Sequence, residues 1–204
     1  MVQLLKYGNT NTYYVKGDDV GVLVDTDWAG TLPAFFKEIK RQGISIDSIK
    51  YLLITHYHPD HMGIAGELME LGVQLVVMDI QQEYIHFSDG IFEKDKRVNY
   101  SPIDLEKAII ISCEESRSFL EQIGIPGEII ATPGHSDDSV SLLLDEGIAI
   151  VGDLYPLGSA SAFQDEVINN SWKKILSYNV KKVYYGHAKE GVIDGLSRTK
   201  CKND

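Results

Sequence analysis

Cysteine is scarce in this chain. Only Cys113 and Cys201 occur among 204 residues, far apart in sequence. Two thiols make no disulfide framework, and nothing in the pattern calls for an oxidising compartment. Long apolar runs are also missing. No stretch of about 18 apolar residues exists, so no membrane-spanning helix is expected. The opening Met-Val-Gln-Leu-Leu-Lys-Tyr-Gly-Asn has no basic n-region, apolar h-region or small-residue cleavage site, the marks of a secretory leader. The expectation is a cytoplasmic protein. Positive charge is the third shortage: 19 Lys and Arg stand against 30 Asp and Glu, a formal net charge of −11. So acidic a surface repels phosphate backbones, and nucleic acid is not expected as a partner. What is present in ordinary measure is core. The 44% hydrophobic and 24% charged content is that of a soluble globular chain. The length suits one domain, 1–204, able to bury a proper interior. No internal repeat or low-complexity linker divides it.

Short β-rich runs alternate with amphipathic helical ones. Thr12–Lys16 and Val20–Asp25 read as strands around the turn Gly17-Asp18-Asp19. Leu32–Gln42 reads as a helix, with Thr31 as N-cap, Pro33 in the first turn and Gly43 as its stop. Tyr51–Thr55 and Val73–Met78 read as buried strands, with Ile64, Ala65, Leu68 and Leu71 at helical spacing between them. Asp79 and Gln82 have the spacing of a capping box, as do Ser112 and Glu115. Further strands are expected at Ala108–Ile111, Glu128–Ala131, Ser139–Leu144, Ile148–Val151 and Lys182–Tyr185. A helix is expected near Glu166–Tyr178, where Asn169-Asn170-Ser171 could interrupt it. The polar stretch 87–105 reads as irregular, either a lid over a site or a disordered excursion. This order predicts sheets with helices outside them, an α/β or α+β protein.

Histidine carries the functional signal. Six occur, and three fall in Thr55-His56-Tyr57-His58-Pro59-Asp60-His61, between an apolar strand and a helix. In extended chain, residues two apart point the same way, so His56 and His58 can address one point. Asp60 and His61, where the chain turns into a helix, can address a second point nearby. Imidazoles with a carboxylate suit Zn(II), and also Fe or Mn. Packed without a cation, the same groups would be mutually unhelpful buried polar atoms. His135, Asp153 and His187 each follow a predicted strand at its C-terminal end, where loops gather on one edge. His86 reads as an ordinary surface or hydrogen-bonded residue. Asp25, which ends an apolar strand, can either fix the tautomer of a ligand histidine or cap a turn before Trp28. Trp28, Tyr57, Tyr155 and Tyr185 lie beside these segments and either line a pocket or pack.

With His56-x-His58-x-Asp60-His61, then His135, Asp153 and His187 in order, the sequence resembles the metallo-β-lactamase-fold hydrolase superfamily. The resemblance runs from Val22-Leu23-Val24-Asp25-Thr26 to Tyr185-Gly186-His187. It implies an α+β fold, an αββα four-layer sandwich of two mixed sheets with the site at one edge. It also implies two divalent metal ions: His56, His58 and His135 on one, Asp60, His61 and His187 on the other, and Asp153 bridging both. That ligand set is similar to glyoxalase II and the lactonases. The flavodiiron branch has Glu where this chain has His58.

Two such ions share a water, lower its pKa toward about 7 and polarise a carbonyl. The expected activity is therefore hydrolysis of a small-molecule ester, thioester, lactone or amide by a metal-bridging hydroxide. Asp60 would be the catalytic proton carrier. Three alternatives stay open: a mononuclear iron enzyme like the persulfide dioxygenases, a phosphodiesterase of the same fold, and a metal-dependent binding protein. A small molecule is the expected partner, and a homodimer is compatible with the sequence.

Overall fold

A computed structural model describes residues 2–159 and 165–193; Cys201 lies outside them. One sheet holds six strands in the order β1 (Val2–Leu5), β2 (Thr12–Lys16), β3 (Gly21–Val24), β4 (Ile49–Leu53), β5 (Gln74–Met78) and β6 (Ile109–Ile111). It is antiparallel from β1 to β3 and parallel from β3 to β6. The second sheet contains β7 (Gly127–Ala131), β8 (Val140–Leu144), β9 (Ile148–Ile150), β10 (Lys182–Tyr184) and β11 (Gly191–Val192), in the order β11-β10-β9-β8-β7. Among the described strands, only β9 and β10 pair in parallel there. The main helices are α1 (Leu32–Gln42), α2 (Pro59–Met62), α3 (Ala65–Glu70), α4 (Asp89–Lys94), α5 (Cys113–Glu121) and α6 (Glu166–Ser177).

Strand periodicity sorts the core into three apolar layers. Alternate residues Val22, Val24, Leu53 and Val76 meet Leu142, Leu144 and Ile150 between the sheets. Their neighbours Leu23, Leu52 and Leu75 face outward onto Phe35 and Ile39 of α1 and Leu68 of α3. On the far side, Leu143 and Ala149 pack against Ile168, Trp172 and Ile175 of α6. Helix, sheet, sheet, helix is the αββα sandwich. Because both faces of the central strands are covered, those strands read as continuous apolar runs.

Local chemistry sets the element ends. Helix α1 stops where Gly43 turns left-handed at φ 71° and its N–H caps the carbonyls of Ile39 and Lys40. Helix α5 opens on the reciprocal box, in which the Ser112 side chain takes the Glu115 N–H and Glu115 takes the Ser112 N–H.

Several expectations are corrected. Thr31 does not cap α1: its backbone is already helical, and its hydroxyl donates back to the Trp28 carbonyl at 2.7 Å. The box expected of Asp79 and Gln82 is made by Gln81, whose side-chain oxygen accepts from Met78 N at 3.2 Å. Helix α6 runs unbroken through Asn169-Asn170-Ser171, because the buried Ser171 hydroxyl finds the Pro133 carbonyl at 2.7 Å. The stretch 87–105 is no disordered excursion. It folds into α4, buries Phe92 and Ile103 in the outer core, and stacks Tyr100 on Phe92 with centroids 4.4 Å apart.

Truncating Leu142, wholly buried between the sheets, to alanine is expected to cost about 2–5 kcal/mol. Ile110→Ala, at a side chain 43% exposed, should cost well under half as much. Urea unfolding of the two variants checks this, and equal midpoints would contradict the layer assignment.

Candidate metal centre

The site is built where strands end. After β4 the chain bends at Thr55 and His56 and is extended at His58, then Pro59 at the first helical position starts α2 and carries His61 into the interior. His135 follows β7, Asp153 follows β9 and His187 follows β10. All seven predicted residues converge.

One set is three imidazoles. His56 Nε2 lies 3.1 Å from His58 Nδ1, which lies 3.0 Å from His135 Nε2. Nitrogens sharing one tetrahedral ion at about 2.0–2.1 Å would stand about 3.3 Å apart, so this set fits a zinc-like cation. The second set is Asp60, His61 and His187, with His187 Nε2 3.0 Å from Asp60 Oδ2. Asp153 stands between them. Its Oδ2 is 3.7 Å from His135 Nε2 and 3.5 Å from His187 Nε2, while its Oδ1 is 3.4 Å from His61 Nε2. His56, His61 and Asp153 also form a convergent group of their own.

The fit to a cation rests on more than proximity. His61 is completely buried, yet its Nε2 has no hydrogen-bond partner. An orphaned buried nitrogen is costly, and this one lies among the Asp153 carboxylate and the imidazoles of His56 and His187. A divalent ion is what such a donor set lacks.

Asp25 is 1% exposed and sits at φ 61°, a left-handed conformation rare for a residue other than glycine. Its Oδ1 accepts Thr55 N at 2.7 Å. Its Oδ2 accepts the Thr55 hydroxyl at 2.8 Å and His61 Nδ1 at 2.9 Å. Asp25 therefore holds the His61 imidazole and does not cap a turn before Trp28. Tyr155 is 41% exposed, with its ring 6.3 Å from that of His135. Trp28 instead packs its edge on Phe92, and Tyr57 is buried in the outer core. The Tyr185 side chain packs in the layer under α6. His86 is a surface residue paired with Asp89 at 2.9 Å.

Sequence reading missed the braces. Asp138 accepts Tyr57 N at 2.7 Å, and the Ser88 hydroxyl donates to the Tyr57 carbonyl at 2.7 Å, clamping the backbone between His56 and His58. The Asn11 amide donates to the carbonyls of Tyr185 and Ala188, both at 2.9 Å, and so fixes the His187 loop. Gly186 is needed because a Cβ there would collide with Asp153 Oδ1 and His61 Cε1.

Electrostatics divides the histidines. Burial, aided by neighbouring imidazoles, holds His56 well below its ordinary value, so it is neutral. Burial would lower His61 as well, but Asp25 and Asp153 override it and raise the group from 6.5 to about 10.

A family model described as the metallo-beta-lactamase superfamily matches residues 5–187. A probable metallo-hydrolase of Methanocaldococcus jannaschii is 28% identical over 201 residues, covering 94% of each chain. The beta-lactamase-like protein 2 homolog of Drosophila melanogaster is 27% identical over 183 residues, 87% of this chain and 58% of its own length. This chain thus spans little more than half of that relative. Among solved structures, a metallo-beta-lactamase family protein from Thermus thermophilus superposes with a TM-score of 0.72 at 20% identity, covering 98% of this chain and 77% of the other. Likeness at that identity speaks for the fold.

Two outcomes follow from the geometry. In the metal-free chain the raised His61 stabilises the fold fully below pH 6.5, and this contribution is lost as pH rises through about 10. A cation at Nε2 must displace the proton, so metal uptake should strengthen with rising pH in that window and release protons. Calorimetric titration in buffers of different ionisation enthalpy measures the release, and uptake without it would contradict the charge assigned to His61. Gly186→Ala should leave a folded protein by circular dichroism but displace Asp153 and lower bound metal by elemental analysis.

Proposed function

Because the chain belongs to the metallo-beta-lactamase superfamily, we propose that it is a dinuclear metal-dependent hydrolase of a small-molecule ester, thioester, lactone or amide. The observation that carries the reading is the position of Asp153, whose carboxylate lies within 3.7 Å of one imidazole of each set. A carboxylate so placed would serve both cations and offset part of their charge.

In this reading His56, His58 and His135 hold one ion, Asp60, His61 and His187 the other, and Asp153 belongs to both. Zinc suits the donors, with iron or manganese as substitutes. Bound together, two divalent ions supply an activated water near neutral pH and polarise the substrate carbonyl.

The remaining work falls to side chains. Asp60 is about one-third exposed and held by His187, which places its carboxylate at the mouth of the cluster. It takes the proton from the attacking water and gives it to the leaving alkoxide, thiolate or amine. His56 and His61, both buried, form the dry floor that keeps bulk water from the donors. Tyr155 flanks the His135 side of the opening and bounds the space a substrate can use.

One observation favours a second reading. His56, His61 and Asp153 form a two-histidine, one-carboxylate group, the donor set of non-haem iron oxygenases. A mononuclear iron oxidoreductase acting on a persulfide would use that group. Metal analysis with an oxygen-uptake assay separates the two: two ions per chain with no oxygen consumption supports hydrolysis.

Asp153→Ala should lower hydrolysis by at least about 100-fold, the scale of losing a preorganised electrostatic group, and should reduce bound metal. Near wild-type turnover of an identified substrate by this variant would refute the bridging role. Dialysis against a chelator should abolish turnover, and added zinc should restore it.

A further inference from the structure

The turn between β1 and β2 reaches both halves of one donor set. The Thr10 hydroxyl donates to the Asp60 carbonyl at 2.6 Å. The next residue, Asn11, gives its backbone N–H to the Gly186 carbonyl at 2.7 Å and its side-chain amide to the carbonyls of Tyr185 and Ala188. The Tyr13 hydroxyl, at the start of β2, joins the same Tyr185 carbonyl at 2.8 Å. One short stretch of chain therefore grips the backbone at Asp60 and on both sides of His187.

The turn is itself pinned. Thr10 is fully buried, and its N–H donates to Oδ2 of the buried Asp27 at 3.0 Å. The other oxygen of Asp27 takes the Trp28 N–H at 2.6 Å. A Cβ at Gly8 would overlap this carboxylate, so glycine lets the turn lie directly on it.

The three-imidazole set is braced elsewhere. Tyr57 is held by Asp138 and Ser88, and the Pro133 carbonyl, shortly before His135, accepts the Ser171 hydroxyl at 2.7 Å. Among the described residues, no hydrogen bond of Thr10 or Asn11 reaches that set. Packing also treats the sets differently. His56 is 1% exposed, whereas the Asp60 and His187 side chains are 34% and 38% exposed and have little core around them to fix their 3.0 Å separation. Bonds to their backbones must do so instead. We infer that Thr10 and Asn11 are positioning residues for one cation position, clasping Asp60 to His187, while the three-imidazole position forms without them. The inference rests on the proposed dinuclear reading for what fills the two positions, but the clasp itself is testable without metal.

Zinc titration of the metal-free chain is the test, with native mass spectrometry counting the ions and 1H–15N spectra of the histidine rings locating them. Wild type should take two ions, and the His58, His135 and His187 rings should all respond. In Thr10→Val and Asn11→Ala, His58 and His135 should respond as in wild type, while the affinity read at His187 falls about 10- to 100-fold, the scale for losing a group that holds a ligand. Thr10→Ser, which keeps the hydroxyl, should behave as wild type. Ser88→Ala should do the reverse, weakening binding at His58 and His135 and sparing His187. Equal weakening at both sets in any of these variants, or an unchanged His187 response in Asn11→Ala, would overturn the division. Asn11→Ala changes a half-buried side chain and carries the test if Thr10→Val unfolds. Without metal, amide hydrogen exchange over residues 185–188 should quicken about 10-fold in Asn11→Ala, the scale of losing two hydrogen bonds. Unaltered exchange there would overturn the clasp. A wild-type chain that takes fewer than two ions yet shows the expected exchange would defeat the proposed function and leave the clasp standing.

Discussion

A buried carboxylate with three hydrogen-bond donors organises this molecule. Asp25 is nearly sealed from water, and a polar group in that position is tolerable only if its oxygens are fully engaged. The donors come from Thr55 N, the Thr55 hydroxyl and His61 Nδ1. These partners fix the end of β3 against the end of β4 and draw the following helix onto both. Strand β4 ends at Leu53, so the next residues serve a side-chain carboxylate and the neighbouring sheet instead of a ladder. That diversion places His56 in the buried floor of the cluster and leaves His58 at its exposed side. The left-handed backbone of Asp25 is the local strain accepted for it.

The second sheet is tied to the same place. Val140 N bonds the Thr55 carbonyl at 2.8 Å, and the Gln81 amide reaches the carbonyls of Ile54 and Asp138, both at 3.0 Å. Two sheets held only by Leu, Ile and Val would slide with little penalty, because apolar contact is non-directional. Directional bonds at the site edge remove that freedom where donor spacing matters. The ordinary hydrophobic effect therefore supplies cohesion, and a few long-range polar bonds supply register.

Much of this was legible in the residues themselves. The apolar stripe of Leu32–Gln42, the Ser112–Glu115 box and the β-rich runs mark elements that form through local chemistry, and the structure has them. The histidine cluster stood out because its spacing makes little sense without convergence. The braces were invisible for a definite reason. Tyr57 and Asp138 are 81 positions apart, and Asn11 and Tyr185 are 174 apart, so no local pattern records their meeting. Strands β1 and β11 escaped notice because each is short and only partly buried, with little hydrophobic alternation to reveal it. The polar stretch 87–105 misled because composition does not show that Phe92, Tyr100 and Ile103 fold back onto the sheet.

The donor atoms are divided between the two halves of the polypeptide. His56, His58, Asp60 and His61 extend from the first sheet, and His135, Asp153 and His187 from the second. Every convergent group mixes the two: His56 and His58 need His135, Asp60 and His61 need His187, and His56 and His61 need Asp153. A nascent chain emerging from the ribosome would therefore expose the dense histidine segment long before any of its distant partners existed. Capture of an ion by the finished arrangement would wait until synthesis has passed His187. Biogenesis of the centre thus reports that both sheets have been made and joined.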